Sequence, residues 1–196
     1  MISLSKIAAM AKQSGFLRVV RTEDASMCLC TRAGIYKADG LPMIFGDRQA
    51  RAVLSMTEKA WDKITFEEEE VETLECVFGM DLRDYAAGEV TAQPLKITAL
   101  PEGRPLMGLE TETGELFFYD PDMLKPVEAD LKESEYRLFT IRTTEAGKKY
   151  ICVHNGMELL CVILPVEVVT EKYLADMGEF QAKITTEFFR KHPEKA

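Results

Sequence analysis

Six glutamates fall within nine residues: Glu67, Glu68, Glu69, Glu70, Glu72 and Glu75, directly after Ile64-Thr65-Phe66. Carboxylates this dense repel one another and need water, cations or a basic partner around them. A hard-cation site requires carboxylates converging from several chain segments, and the run lacks the Asp-rich, Gly-containing spacing of a calcium loop, so no metal is assigned. A docking patch for a basic protein is the partner-binding reading. The pattern most favours a solvated edge strand whose charges block edge-to-edge pairing.

Other reactive side chains are sparse. The only histidines are His154 and His192, so a Ser or Cys nucleophile with a histidine base would have to use one of them. His192 lies in a terminal segment expected to fray, and His154 adjoins a tight turn where a polar ring is ordinary. Five cysteines, Cys28, Cys30, Cys76, Cys152 and Cys161, sit mostly within apolar alternation, which reads as buried thiols in a reducing compartment. Cys28 and Cys30 share a strand face, but a structural zinc site needs four N/S ligands. The glycines near Gly103, Gly108 and Gly114 lack phosphate-loop spacing and the Lys-Ser/Thr that must follow, and there is no Gly-x-Ser-x-Gly. No catalytic residue and no cofactor is assigned.

The charge is uneven. Residues 1–60 hold nine basic and five acidic residues (+4), residues 61–130 hold five and eighteen (−13), and residues 131–196 hold ten and ten (0), which together make the net −9. Lys6, Lys12, Arg48, Arg51 and Lys59 collect where two N-terminal helices are predicted, a candidate nucleic-acid-facing surface on a protein that as a whole repels DNA. An acidic body with basic helices and a terminal strand ending Val162-Ile163-Leu164-Pro165-Val166 faintly resembles sliding-clamp domains over a handful of residues. The resemblance implies helices that line a ring around DNA, although the chain is short for two full clamp domains.

These residues need elements to position them. At 196 residues, 46% hydrophobic and 29% charged, the chain has the makeup of a folded globular protein, read as one domain over residues 1–196. The weakest place for a lobe boundary is the proline-containing stretch 93–105, between lobes 1–92 and 106–196. Its longest strongly apolar run is Leu159-Leu160-Cys161-Val162-Ile163-Leu164, against the roughly 20 residues a bilayer span takes, so no membrane partner is expected. The N-terminus does not read as a secretory leader, and a cytoplasmic location follows as the expectation.

A helix is predicted from Ser3 or Ser5 to about Gln13, stopped by Gly15. Strands follow over 16–21, 26–31 and 34–37, then a helix capped by Asp47, with a separate short helix behind Thr57 as the alternative for its later part. Residues 64–78 alternate like a strand, 81–87 read as one helical turn, 90–98 as a strand, and 106–119 as a hairpin turning at Thr113-Gly114. A three-strand meander closes the sheet, with Asn155-Gly156 as the loop of its second hairpin. That loop places Cys152 opposite Leu159 and Tyr150 opposite Cys161. It puts Tyr150, Cys152, His154, Met157, Leu159, Cys161 and Ile163 on one face, and Ile151, Val153, Leu160, Val162 and Leu164 on the other. Both faces are apolar, so each needs a cover. A final amphipathic helix capped by Thr170, with Tyr173, Met177, Phe180, Ile184 and Phe188 in a stripe, is the expected cover for one of them. There is no internal sequence repeat.

The fold class is therefore α+β: a mainly antiparallel sheet of hairpins with a C-terminal meander, two N-terminal helices and a C-terminal amphipathic helix. The expected function is a non-enzymatic protein-binding or assembly module, acting on a protein partner or by self-association. A DNA-associated clamp-like accessory protein and an enzyme using acidic residues are the alternatives.

Overall fold

In the computed structural model, which describes residues 2–99, 103–133, 136–168 and 171–191, the chain begins with helix α1 (Leu4–Ser14). Ile7, Ala8, Met10 and Ala11 face inward, and Gly15 in left-handed backbone (φ 66°) ends the helix by donating its N–H to Ala11 O. A meander of β1 (Phe16–Arg21), β2 (Met27–Cys30) and β3 (Gly34–Lys37) follows. Next come α2 (Gly46–Val53), α3 (Glu58–Trp61) and β4 (Thr65–Glu70), so Thr57 does precede a separate short helix. Asp47 lies inside α2 rather than at its cap, where its carboxylate accepts from the Trp61 indole N–H and ties α2 to α3.

The chain then leaves the main sheet. The predicted strand over 64–78 forms in two pieces, β4 in the main sheet and a two-residue strand near its end. A small ribbon of β5 (Cys76–Val77) and β6 (Met80–Asp81) follows, turned by Phe78 and Gly79, both at positive φ (54° and 74°). Strands β7 (Val90–Ala99), β8 (Leu106–Thr111) and β9 (Leu116–Tyr119) return to the sheet. A 3-10 helix (Pro121–Val127) leads into α4 (Glu128–Glu133), and neither was expected from sequence. Asp120 starts the first by accepting from the Asp122 N–H, and Pro126 interrupts any regular α-helix. Strands β10 (Arg137–Thr143), β11 (Lys149–Asn155) and β12 (Glu158–Ile163) form the second meander, and α5 (Glu171–Lys191) ends the described chain. The expected cap Thr170 lies outside the described residues.

The sheet order is β4-β1-β2-β3-β12-β11-β10-β7-β8-β9, antiparallel throughout except for the parallel pair β1/β4. The topology repeats although the residues do not. A helix followed by a three-strand meander occurs twice, α1-β1-β2-β3 and α4-β10-β11-β12, and the two meet at the antiparallel pair β3/β12. Both helices bury their apolar residues in the same cluster on one sheet face. Tyr36 spans the join. Its ring lies over Gly34, where a Cβ would come within 2.7 Å of the phenol oxygen, and its hydroxyl donates to Met123 O at 2.9 Å. The sheet also curls: Val166, just past central β12, donates its N–H to Phe118 O on the edge strand β9 at 2.7 Å.

The second hairpin corrects its predicted register. Asn155 pairs with Glu158, so the loop is Gly156-Met157, and Leu160 is bulged between Leu159, opposite His154, and Cys161, opposite Val153. The bulge turns Cys161 and Ile163 to the helix side beside Ile151, Val153 and Leu160, while Tyr150, Cys152, Leu159 and Val162 share the other face. Each face finds its cover within residues 2–166. The helices lie on one, and Val77 and Leu82 of the excursion between β4 and β7 lie on the other. The hairpin is the middle of the sheet and needs no partner for burial.

Two compact units result, Met1–Val166 and Glu167–Ala196. The second consists, among the described residues, of α5 and the few residues before it.

Candidate functional site

β4 carries its glutamates on the sheet edge, parallel to β1 with Arg18 opposite Glu67 and Arg21 opposite Glu70. The strand period of two then divides the charges between faces. Arg18 takes Glu67 (Nε to Oε2, 2.6 Å) and Glu69 (Nη1 to Oε2, 3.2 Å), with Phe78 stacked 4.6 Å from its guanidinium carbon. On the other face Arg21 takes Glu68 and Glu70 (Nη2 to Oε2, 3.0 Å), with Phe45 at 4.8 Å. Glu68 also accepts the Gly46 N–H at 2.8 Å, joining the edge strand to the start of α2. Two arginines thus serve four carboxylates, and β4 matches the solvated-edge reading of the run.

Glu72 and Glu75 lie beyond the strand and go elsewhere. With Asp24, Asp39 and Asp84 they line an open cleft of about 430 Å³ whose cations are Lys37 and Arg83. The cleft is the most acidic concavity described, and it needs residues 22–39 as well as the glutamate run, a juxtaposition invisible in one segment of sequence. A hydrogen bond from Thr22, itself against the Ser26 carbonyl, holds the Asp24 carboxyl below the usual carboxylate range. Burial acts to raise Asp84, but the Leu159 N–H (3.0 Å) and the Lys37 ammonium (3.1 Å) outweigh it and hold that carboxyl low too.

Beneath the cleft lies a buried polar network that sequence reasoning missed. Arg142, 3% exposed, donates from Nε to Glu89 Oε2 (2.6 Å) and from Nη1 to the carbonyls of Asp81 (3.0 Å) and Arg83 (2.7 Å). Its Nη2 donates to Asp84 O at 3.2 Å. These carbonyls converge on one guanidinium instead of making helical bonds, which is why 81–87 is not the expected helical turn. Thr140 Oγ1 donates to Glu89 Oε2 (3.3 Å) and stands 3.1 Å from His154 Nε2. Burial, with the nearby Arg142 charge, pushes the His154 imidazole below its ordinary value. The signal that could have found the network is Arg142 itself, a charged residue inside an apolar strand pattern.

Burial raises the thiols of Cys28 and Cys152 to about 12 and those of Cys30 and Cys161 further, which keeps them in the weakly nucleophilic protonated form. All five cysteines are unpaired, and Cys76 is exposed. No group of three or more His, Cys, Asp or Glu side chains among the described residues has the geometry to hold a metal ion.

The predicted basic residues lie on three helices. Lys6 and Lys12 are exposed on α1, Arg48 on α2 and Lys59 on α3, while Arg51 is 3.5 Å from Glu58. α1 packs beside the 3-10 helix that leads into α4, and Glu128, bonded to Lys132, also feels Lys6, so that its carboxyl is held low. The start of α2 meets the sheet edge through Phe45, stacked on Arg21 of β1, and the Gly46 N–H, donated to Glu68 of β4.

The remaining candidate surface is α5. Phe180 (56% exposed), Ile184 (52%) and Phe188 (43%) form an exposed stripe at spacings of four, on a helix braced by Glu179–Lys183 (2.5 Å) and Glu187–Lys191 (2.8 Å) pairs. No helix among the described residues is long and apolar enough to cross a membrane. Compared with known protein families, curated proteins and solved structures, the chain matches none.

Proposed function

We propose that this protein is a non-enzymatic binding or assembly module that engages protein through α5. The observation that carries this reading is the stripe on one helix face in which Phe180 and Ile184 are more than half exposed, with Phe188 continuing it at 43%. An amphipathic helix with its apolar face in water draws little stability from propensity alone, and docking that face supplies the missing burial. The acidic cleft fits the same reading as a place for basic side chains of a partner, since five carboxylates there face two cations. Buried, protonated thiols and a histidine tied into a buried network support binding over nucleophilic chemistry, and unpaired thiols accord with a reducing compartment such as the cytoplasm. The carboxylates beside Lys6 and Arg51 favour protein over nucleic acid as the partner.

The test compares the full chain with a Phe180→Ser, Ile184→Ser variant in light scattering and in affinity capture from the host. Association, with itself or with a captured protein, is expected for the parent and lost in the variant. A parent that is monomeric and captures nothing the variant fails to capture overturns the reading.

A further inference from the structure

The helix whose stripe is exposed also has a polar pattern along its length. Residues 171–180 contain Glu171, Asp176 and Glu179 against Lys172, a net of −2, while residues 181–191 contain Lys183, Arg190 and Lys191 against Glu187, a net of +2. Two copies laid parallel would set like halves side by side. Two copies laid antiparallel set each acidic half against a basic half and oppose the helix dipoles favourably. An antiparallel arrangement also has the two-fold symmetry that closes with two chains, so both stripes are buried and no surface is left for further addition.

The stripe suits the same occupant. Phe180, Ile184 and Phe188 follow at spacings of four, and in the sequence Tyr173 and Met177 extend the pattern toward the helix start with steps of four and three, the spacing with which one helix packs its ridges beside another. Gly178 lies well off the stripe in helical projection, so its missing side chain leaves the proposed contact unchanged. We infer that α5 pairs antiparallel with α5 of a second copy of this chain, stripe to stripe, with the acidic first half of each helix against the basic second half of the other. This deepens, and rests on, the proposed binding role of α5. A contact between two 21-residue helices falls in the small-interface class, below roughly 1,200 Å², so the dimer should be weak and concentration-dependent.

Sedimentation of the full chain over a range of concentrations at low salt reads the dimer constant. Phe180→Ser with Ile184→Ser should weaken dimerisation roughly 100-fold, as removal of two central apolar anchors does. The orientation is read from charge. Asp176→Lys with Glu179→Lys turns the first half to +2, which opposes the basic second half of an antiparallel partner and should weaken dimerisation several-fold, an effect that salt removes. Adding Lys183→Glu and Arg190→Glu turns the second half to −2 and should restore it. In a parallel pair the first change merely replaces −2 against −2 by +2 against +2, so a dimer indifferent to it overturns the antiparallel arrangement. A strictly monomeric chain overturns self-pairing. If that monomer captures another protein through an intact stripe, or binds lipid vesicles by it, the occupant is a different one. The binding role of α5 survives the capture result and falls with the vesicle result.

Discussion

Two sets of arginines on the same sheet show what burial does to one side chain. Arg18 and Arg21 stand at the β1/β4 edge, bonded to glutamates that are a quarter to a half exposed, each stacked on one aromatic ring. Arg142 is in the interior, and besides Glu89 it holds three backbone carbonyls, that of Asp81 at the end of β6 and those of Arg83 and Asp84 in the irregular segment after it. At the edge water competes for every partner, so each pair adds little and the arginines mainly neutralise a dense acidic strand. In the interior water is absent, and loss of the guanidinium strands a carboxylate and several carbonyls together.

The contrast is sharpest in Arg142→Met, which should lose about 3–5 kcal/mol in urea denaturation and raise amide exchange across 81–89, because the freed groups have no alternative partners. A loss below about 1 kcal/mol would erase the distinction between the two regions. Acid should strike the interior as well. Unfolded His154 takes up a proton near 6.5, whereas the folded ring, buried beside Arg142, resists it. Below that pH the unfolded chain binds more protons, so the contribution of His154 is full above 6.5 and declines as pH falls, with a slope no steeper than about 1.4 kcal/mol per pH unit. His154→Gln should flatten that part of a stability–pH curve. At the edge, Arg18→Met should cost only about 1 kcal/mol and less in high salt, measured in the same urea titration. Smallest of all, Glu68→Thr with Glu70→Thr should leave stability within about 0.5 kcal/mol. In a chain whose α5 stripe carries Phe180→Ser and Ile184→Ser, that change should still increase concentration-dependent association, because an edge strand without its charges can pair with another chain.

Much of the edge was readable because its cause is local. Four successive glutamates on a strand divide between two faces by the strand period alone, and their density marks an edge. The first meander, α1 with Gly15 as its stop, and the 106–119 hairpin were readable for the same reason, each set by residues close in sequence. The interior was not. Nothing near Arg142 in sequence indicates that carbonyls some sixty positions earlier converge on it, nor that Asp84 caps the Leu159 N–H beside the bulge. The bulge escaped as well, since Asn155-Gly156 suits a two-residue loop, while the observed Gly156-Met157 loop shifts the register by a long-range fit.

By itself the sequence determined the α+β class, most strands, the acidic edge and the amphipathic stripe of α5, because periodicity, turn residues and charge density act over a few residues. Only the tertiary structure decided that both faces of the central hairpin are covered within residues 2–166, and that Glu72 and Glu75 join Asp24, Asp39 and Asp84 in one cleft. Those outcomes depend on which distant segments compete for the same apolar surface, and that competition is settled by packing across the whole chain.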